Sequence, residues 1–148
     1  MPVIDSDTHI DETEDTWSAI QDGLEFKPYT AFPPKQDPGR QPTTYWMIDG
    51  KRQLRRYRDD QRTGTTVETR ELLDVQARLR AMDVLGFDVQ VMYPTLFLTE
   101  STERTEVDLS LRHSYNQWLA RRSDESHGRL RWVCLPPLRS MDEAVKEL

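Results

Sequence analysis

An α/β fold with parallel strands is predicted for this 148-residue chain by three features: period-two apolar segments, stretches of helical period, and their alternation. The order is strand, long excursion, helix, strand, helix, strand and the start of a further helix. That order is what right-handed βαβ crossovers of a parallel sheet require. The length suits one domain, 1–148.

The first strand is Pro2-Val3-Ile4-Asp5, running into the polar cluster Ser6-Asp7-Thr8-His9. Between about residues 10 and 67 the periodicities vanish, and Pro28, Pro33, Pro34, Pro38 and Pro42 with Gly39 and Gly50 exclude long regular elements. So long an excursion invites a lid or a substrate-covering role. From about Glu68, Leu72, Val75, Leu79 and Met82 recur at steps of three and four, which predicts an amphipathic helix stopped by Gly86.

Phe87 to Tyr93 then alternates apolar and other residues and ends at Pro94, which predicts the second strand. Val107, Leu111, Tyr115 and Trp118 mark a second helix over about Thr105 to Ser123, with Gly128 beyond it. Leu130 to Leu135 is the third strand. Ser140 and Glu143 have the spacing of a capping box opening a last helix. Three strands cannot close a barrel, and a doubly wound sheet of three leaves both edges poorly protected.

Composition narrows the function classes. Hydrophobic residues make up 36 % and charged residues 31 %, so a long polar segment dilutes the core or the chain carries part of something larger. Twenty basic against twenty-six acidic residues give a net charge of −6, which opposes general attraction to nucleic acid or anionic lipid. No apolar run is long enough to cross a bilayer, and the first twenty residues carry six acidic side chains and no Lys or Arg, unlike a signal peptide. A cytoplasmic location is expected. The single cysteine, Cys134, excludes an intrachain disulfide, and its apolar neighbours suggest a buried thiol.

Asp7 and His9 stand two apart at the carboxyl end of the first strand, so in extended chain their side chains share a face. A carboxylate beside an imidazole suits a borderline divalent cation such as zinc, and strand carboxyl ends are where α/β folds bind ligands. Spacing alone equally allows a polar turn with His9 on the surface. His113 falls mid-helix and His127 at a helix end, away from strand ends. Lys51, Arg52, Arg55, Arg56, Arg58 and Arg62 surround Tyr57 in a basic run that could grip an anion, but Asp59 and Asp60 interrupt it and such runs are usually solvated faces. Tyr93 and Thr95 stand where the second strand opens onto a site mouth, or are core packing and a turn at Pro94. No phosphate-cradling glycine loop, nucleophile elbow or Cys/His cluster is present.

The stretch from Val3 to Glu12, VIDSDTHIDE, resembles the strand-one signature of the amidohydrolase-related family, relatives of aminocarboxymuconate-semialdehyde decarboxylase. Tyr45 to Lys51 is similar to an element of that family's first insertion. Met82 to Asp88 with Val91 to Thr95 resembles its helix-to-strand-two junction, and Tyr115 to Leu119, Arg129-Leu130 and Leu135 to Leu138 continue the likeness.

The resemblance implies the N-terminal portion of a (β/α)8 TIM-type barrel, with about three parallel strands and a long insertion, 10–67, after strand one. It implies a metal-dependent hydrolase or decarboxylase acting on a small organic, carboxylated or aromatic substrate. One divalent ion, zinc by expectation, would be held by Asp7 and His9, with Glu12, Tyr93 and Thr95 as weaker candidates for support or substrate contact; a plain solvated loop acid is the other reading of Glu12. The superfamily's usual strand-one motif is His-x-His, and Asp7 here replaces the first His, which leaves metal identity open. The family's other ligands come from later strands. A typical barrel needs about 250 residues, so the resemblance also implies a truncated barrel or a half-barrel subunit that needs a second copy or a complementing chain. No catalytic acid or base is assigned.

Overall fold

The computed structural model describes residues 1–21, 24–33, 44–55 and 60–148, with the side chains of Asp60 and Arg62 excepted. Pro34, Pro38, Gly39 and Pro42, and Arg56, Tyr57, Arg58 and Asp59 of the basic run, lie outside the described residues.

A parallel sheet is built from β1 (Ile4–His9), β5 (Val89–Tyr93) and β6 (Leu130–Trp132), in the order β1-β5-β6. The connections between β5 and β6 include α4 (Thr105–Glu125), and α3 (Val75–Leu85) precedes β5. This is the predicted α/β class. Along β5, Gln90 and Met92 are buried against the helices, whereas Val89, Val91 and Tyr93 on the other face are half-buried. The period of two is as read from the sequence, but the more deeply buried face is that of Gln90 and Met92 and not the Val89, Val91 and Tyr93 face. The core beneath the sheet joins Ile10, Leu79, Met82 and Met92 to Tyr115, Trp118 and Leu119 of α4.

Strand β1 carries a bulge. Asp5 pairs with Gln90 and Thr8 with Met92, so three steps on β1 match two on β5. The extra residue brings Asp5 and Thr8, three apart, onto the helix side. There Arg78 of α3, 6 % exposed, donates to Gln90 Oε1 at 2.8 Å, Thr69 O at 2.9 Å and Thr8 Oγ1 at 3.0 Å, and Gln90 Nε2 donates to Asp5 Oδ2 at 2.9 Å. The polar cluster after strand one is thus half consumed by the fold.

The first departure from the sequence reading is the helix before β5. The helix expected from Glu68 is split into α2 (Val67–Arg70) and α3, because Leu72 adopts a left-handed φ of 48° and Asp74 then starts a new helix by accepting from Gln76 N. Leu72 is still fully buried, so the apolar stripe registers correctly although the backbone breaks. The stop at Gly86, φ 77°, stands as expected.

The excursion 10–67 also holds more order than its prolines suggested. It contains an antiparallel sheet of β2 (Tyr29–Ala31), β3 (Thr44–Ile48) and β4 (Lys51–Arg55). Asp49 and Gly50, with φ of 50° and 71°, make the two-residue turn between β3 and β4, and an Asp-Gly pair suits the left-handed positions of such a hairpin turn. The sheet docks through a second cluster of Trp17, Ile20, Trp46, Ile48, Leu96, Val107 and Leu111. A four-residue helix, α1 (Asp60–Thr63), follows β4.

Strand β6 is shorter than the predicted 130–135, though Val133 N still donates to Met92 O at 3.1 Å. Helix α5 (Met141–Glu147) begins at Ser140, whose Oγ accepts from Glu143 N. The Glu143 carboxylate pairs with Lys146 at 2.6 Å, so the cap is one-sided rather than reciprocal. Cys134 is half-buried, not fully enclosed.

Candidate functional site

The carboxyl ends of β1 and β5 lie side by side, and their ladder continues past the strands through Ile10 N donating to Tyr93 O at 3.0 Å. His9 projects from this end. Its Nδ1 lies 2.9 Å from Pro94 O, and a carbonyl oxygen only accepts, so Nδ1 carries the proton. In the neutral ring Nε2 therefore presents a lone pair, 4.0 Å from Asp7 Oδ1. The Tyr93 ring packs beside His9, centroids 6.1 Å apart. His9 is partly shielded at 29 % side-chain exposure, while Asp7 is 88 % exposed and free to turn.

Two ligands on a tetrahedral zinc, each about 2.0–2.2 Å from the ion, stand roughly 3.3–3.6 Å apart. The observed 4.0 Å is close enough for a rotation of the exposed Asp7 to supply the rest. Donor types and spacing both fit. Among the described residues no three His, Cys, Asp or Glu side chains converge on one point, whereas a catalytic zinc normally has three protein ligands. A cavity of about 330 Å³ adjoins the pair and is lined also by Thr8, Thr69, Arg70 and Arg78. The Arg70 guanidinium stands 3.7 Å from Asp11 Oδ2 and Arg78 is held by its three acceptors, so both arginines have structural partners.

Glu12 is 3 % exposed, which removes the reading of a solvated loop acid. Its Oε1 accepts from Thr95 N at 3.0 Å and its Oε2 from Leu96 N at 2.9 Å, the first amides of a 3₁₀ turn over Leu96–Leu98. Burial pushes its carboxyl up to about 7 against the opposing pull of those amides, and Asp11 adds to the rise. Thr95 is thus tied down by its backbone. The Tyr115 hydroxyl is buried with no hydrogen-bond partner among the described residues, and burial together with the Glu12 charge pushes its ionisation well upward.

A second cavity, about 370 Å³, lies between these loops and the inserted sheet. Glu12 and Thr95 line one side; Trp46, Gln53 and Arg55 of β3 and β4 line the other. The Arg55 guanidinium stacks over the Trp46 ring at 5.5 Å and pairs with Glu71 at 2.8 Å. The sequence reading placed Trp46 in the insertion but assigned neither it nor Gln53 to a site; the Asp49-Gly50 turn was the signal that would have placed them on one hairpin. Arg55 leaves the basic run for this wall, and Arg52 stacks over Tyr45.

His113 lies on α4, paired with Glu147 and 2.7 Å from Gln117 Nε2, and His127 follows that helix with a φ of 52°. Neither is among the residues lining the cavity beside His9. No helix among the described residues is long and apolar enough to cross a membrane.

No family model matches this chain, and no curated protein matches it. Among solved structures it is similar to an amidohydrolase from Mycobacterium avium subsp. paratuberculosis K-10, with a TM-score of 0.61 and 18 % identity. The match covers 99 % of this chain and 45 % of that one, so the chain spans less than half the length of the structure it resembles. At this identity the likeness bears on the fold: a three-stranded parallel portion of an amidohydrolase-like (β/α) barrel.

Proposed function

We propose that this chain supplies the strand-one end of the metal centre of an amidohydrolase-type hydrolase or decarboxylase, with Asp7 and His9 holding one divalent cation. The observation that carries the proposal is the aim of His9. Its Nδ1 is committed to Pro94 O, which leaves Nε2 to face Asp7 Oδ1 across 4.0 Å at a strand's carboxyl end. Carboxylate and imidazole donors suit zinc among the divalent cations. When bound, the ion lowers the pKa of a coordinated water or polarises a substrate oxygen.

The chain's own residues do the rest. Glu12 fixes the loop after β5, Tyr93 packs beside the imidazole, and the inserted hairpin covers the 370 Å³ cavity with Trp46 and Arg55. A wall with a large aromatic ring and a guanidinium suits a small carboxylated or aromatic substrate. Hydrolysis and decarboxylation would use the same two ligands. The single cysteine is in keeping with a cytoplasmic setting.

A third ligand and further strands beyond these residues complete this reading, and a complementing chain or a second copy is one source for them. The half-buried Val89, Val91 and Tyr93 offer those strands an apolar face. The second reading, a non-catalytic half-barrel subunit, is favoured by the two-ligand set alone.

Metal content of the purified chain separates the two. Stoichiometric zinc that is lost in His9→Ala, with a melting temperature lowered by chelator in the parent only, is the expected result. Absence of metal in the parent, with chelator-insensitive melting, overturns the metal-centre reading and leaves the half-barrel.

A further inference from the structure

We infer that Glu12 is a positioning residue for His9, acting through the Pro94–Thr95 peptide unit. The inference deepens the reading of His9 as a metal-facing imidazole and rests on it for its functional meaning.

The two side chains are joined by one peptide group. Its carbonyl, Pro94 O, accepts from His9 Nδ1 at 2.9 Å; its amide, Thr95 N, donates to Glu12 Oε1 at 3.0 Å. A trans peptide is planar, with a barrier of about 18–20 kcal/mol to twisting, so its C=O and N–H point from opposite edges of one rigid plate. Gripping one edge aims the other. The second carboxylate oxygen holds Leu96 N at 2.9 Å, which stops the carboxylate from pivoting about a single bond.

Two consequences follow for the imidazole. The aimed carbonyl admits only the tautomer with its proton on Nδ1, and so directs the Nε2 lone pair outward toward Asp7. A negative charge on the amide also polarises the peptide and strengthens the carbonyl as an acceptor, the kind of cooperative gain put at perhaps 10–30 % per bond. A stronger partner on Nδ1 makes Nε2 the better ligand.

The burial of Glu12 is otherwise costly. A carboxylate 3 % exposed beside Asp11 has its charged form disfavoured, and a neutral side chain of the same shape would serve packing as well or better. What such a residue would lose is the simultaneous grip on two adjacent amides.

The test is histidine ring nitrogen NMR of the whole chain at pH 8, in the parent, Glu12→Gln and Glu12→Met. Gln keeps the shape but has one acceptor oxygen; Met has none. The expected result is a His9 held mainly as the Nδ1–H tautomer in the parent, shifting toward the Nε2–H form in Glu12→Gln and further in Glu12→Met, with His113 and His127 unchanged. A parent His9 already in the Nε2–H form, or an unchanged tautomer in folded Glu12→Gln, overturns the inference. Because Gln is nearly isosteric and uncharged, that variant keeps the test open if Glu12→Met does not fold.

Zinc titration provides the second arm, with affinity in Glu12→Gln expected to fall roughly 10–100-fold, the usual effect of losing an outer-shell partner. Should the tautomer shift while neither chain binds zinc, the positioning link stands and the metal reading falls. Should parent and Glu12→Gln bind zinc equally with the same tautomer, the metal reading stands and the link falls.

Discussion

The Glu12 carboxylate and the Leu96 amide meet at 2.9 Å although 84 positions separate them, fastening the end of β1 to the turn that follows β5. This fastening carries a pH signature. The carboxyl is pushed from its ordinary 4.5 up to about 7 in the folded chain. Folding therefore takes up a proton between those values, and stability attributable to this group is fully present below about 4.5 and lost as pH rises through 7. The size is about 3 kcal/mol across the window. Urea unfolding of parent and Glu12→Gln at pH 5 and pH 8 measures it. The variant is expected to gain on the parent as pH rises; a pH-independent difference would mean that the Glu12 carboxyl is not shifted.

Arg78 is expected to be irreplaceable by simple truncation. It is buried and donates to three acceptors on β1, β5 and the segment before α3. Arg78→Leu leaves Gln90, Thr8 and the Thr69 carbonyl short of a donor and Asp5 short of its compensating charge. A loss of about 3–5 kcal/mol is expected. Arg78→Lys should recover little, because an ammonium cannot reproduce the planar fork. Chemical denaturation of both variants checks this, and a loss below about 1 kcal/mol would show the network to be dispensable.

The docking of the inserted sheet depends on Trp17, fully buried and packed edge-on to Trp46 at 5.8 Å between ring centroids. Trp17→Ala is expected to cost about 3–5 kcal/mol. Its distinguishing effect is regional. Amide exchange should accelerate first in β3 and β4, while β5 keeps its protection, because the two apolar clusters share no buried residue and meet only through the partly buried Phe97. Equal acceleration in both sheets would mean that the insertion and the barrel portion unfold as one.

Backbone conformation alone makes a further prediction. Gly50 and Gly86 have left-handed φ angles of 71° and 77°, and a Cβ at either would meet no atom within 4 Å. Ala at each position should therefore cost only the conformational term, about 1–2 kcal/mol. Gly86→Asn should cost less, since Asn tolerates this region. Thermal melts resolve the difference, and a neutral Gly86→Ala would argue against the helix end described here.

The sequence by itself determined the elements whose periodicity is local. The stripe of Val75, Leu79 and Met82, the alternation through Tyr93, the long helix around Trp118 and the stop at Gly86 all reappear in the fold. It also placed Asp7 and His9 at one strand end, since a period of two depends on nothing remote. It did not determine the break at Leu72, whose positive φ is tolerated because its side chain is fully buried among residues distant in sequence.

The inserted sheet was partly legible in Asp49-Gly50. Its docking was not, because the contacts between Trp46, Leu96 and Val107 join three separate regions of chain. Tertiary structure alone turned Glu12 from an acid of undetermined surroundings into a buried clamp, and gave His9 its tautomer. The physical reason is the same for both: each side chain's state is set by a backbone group of the loop after β5, more than 80 positions away.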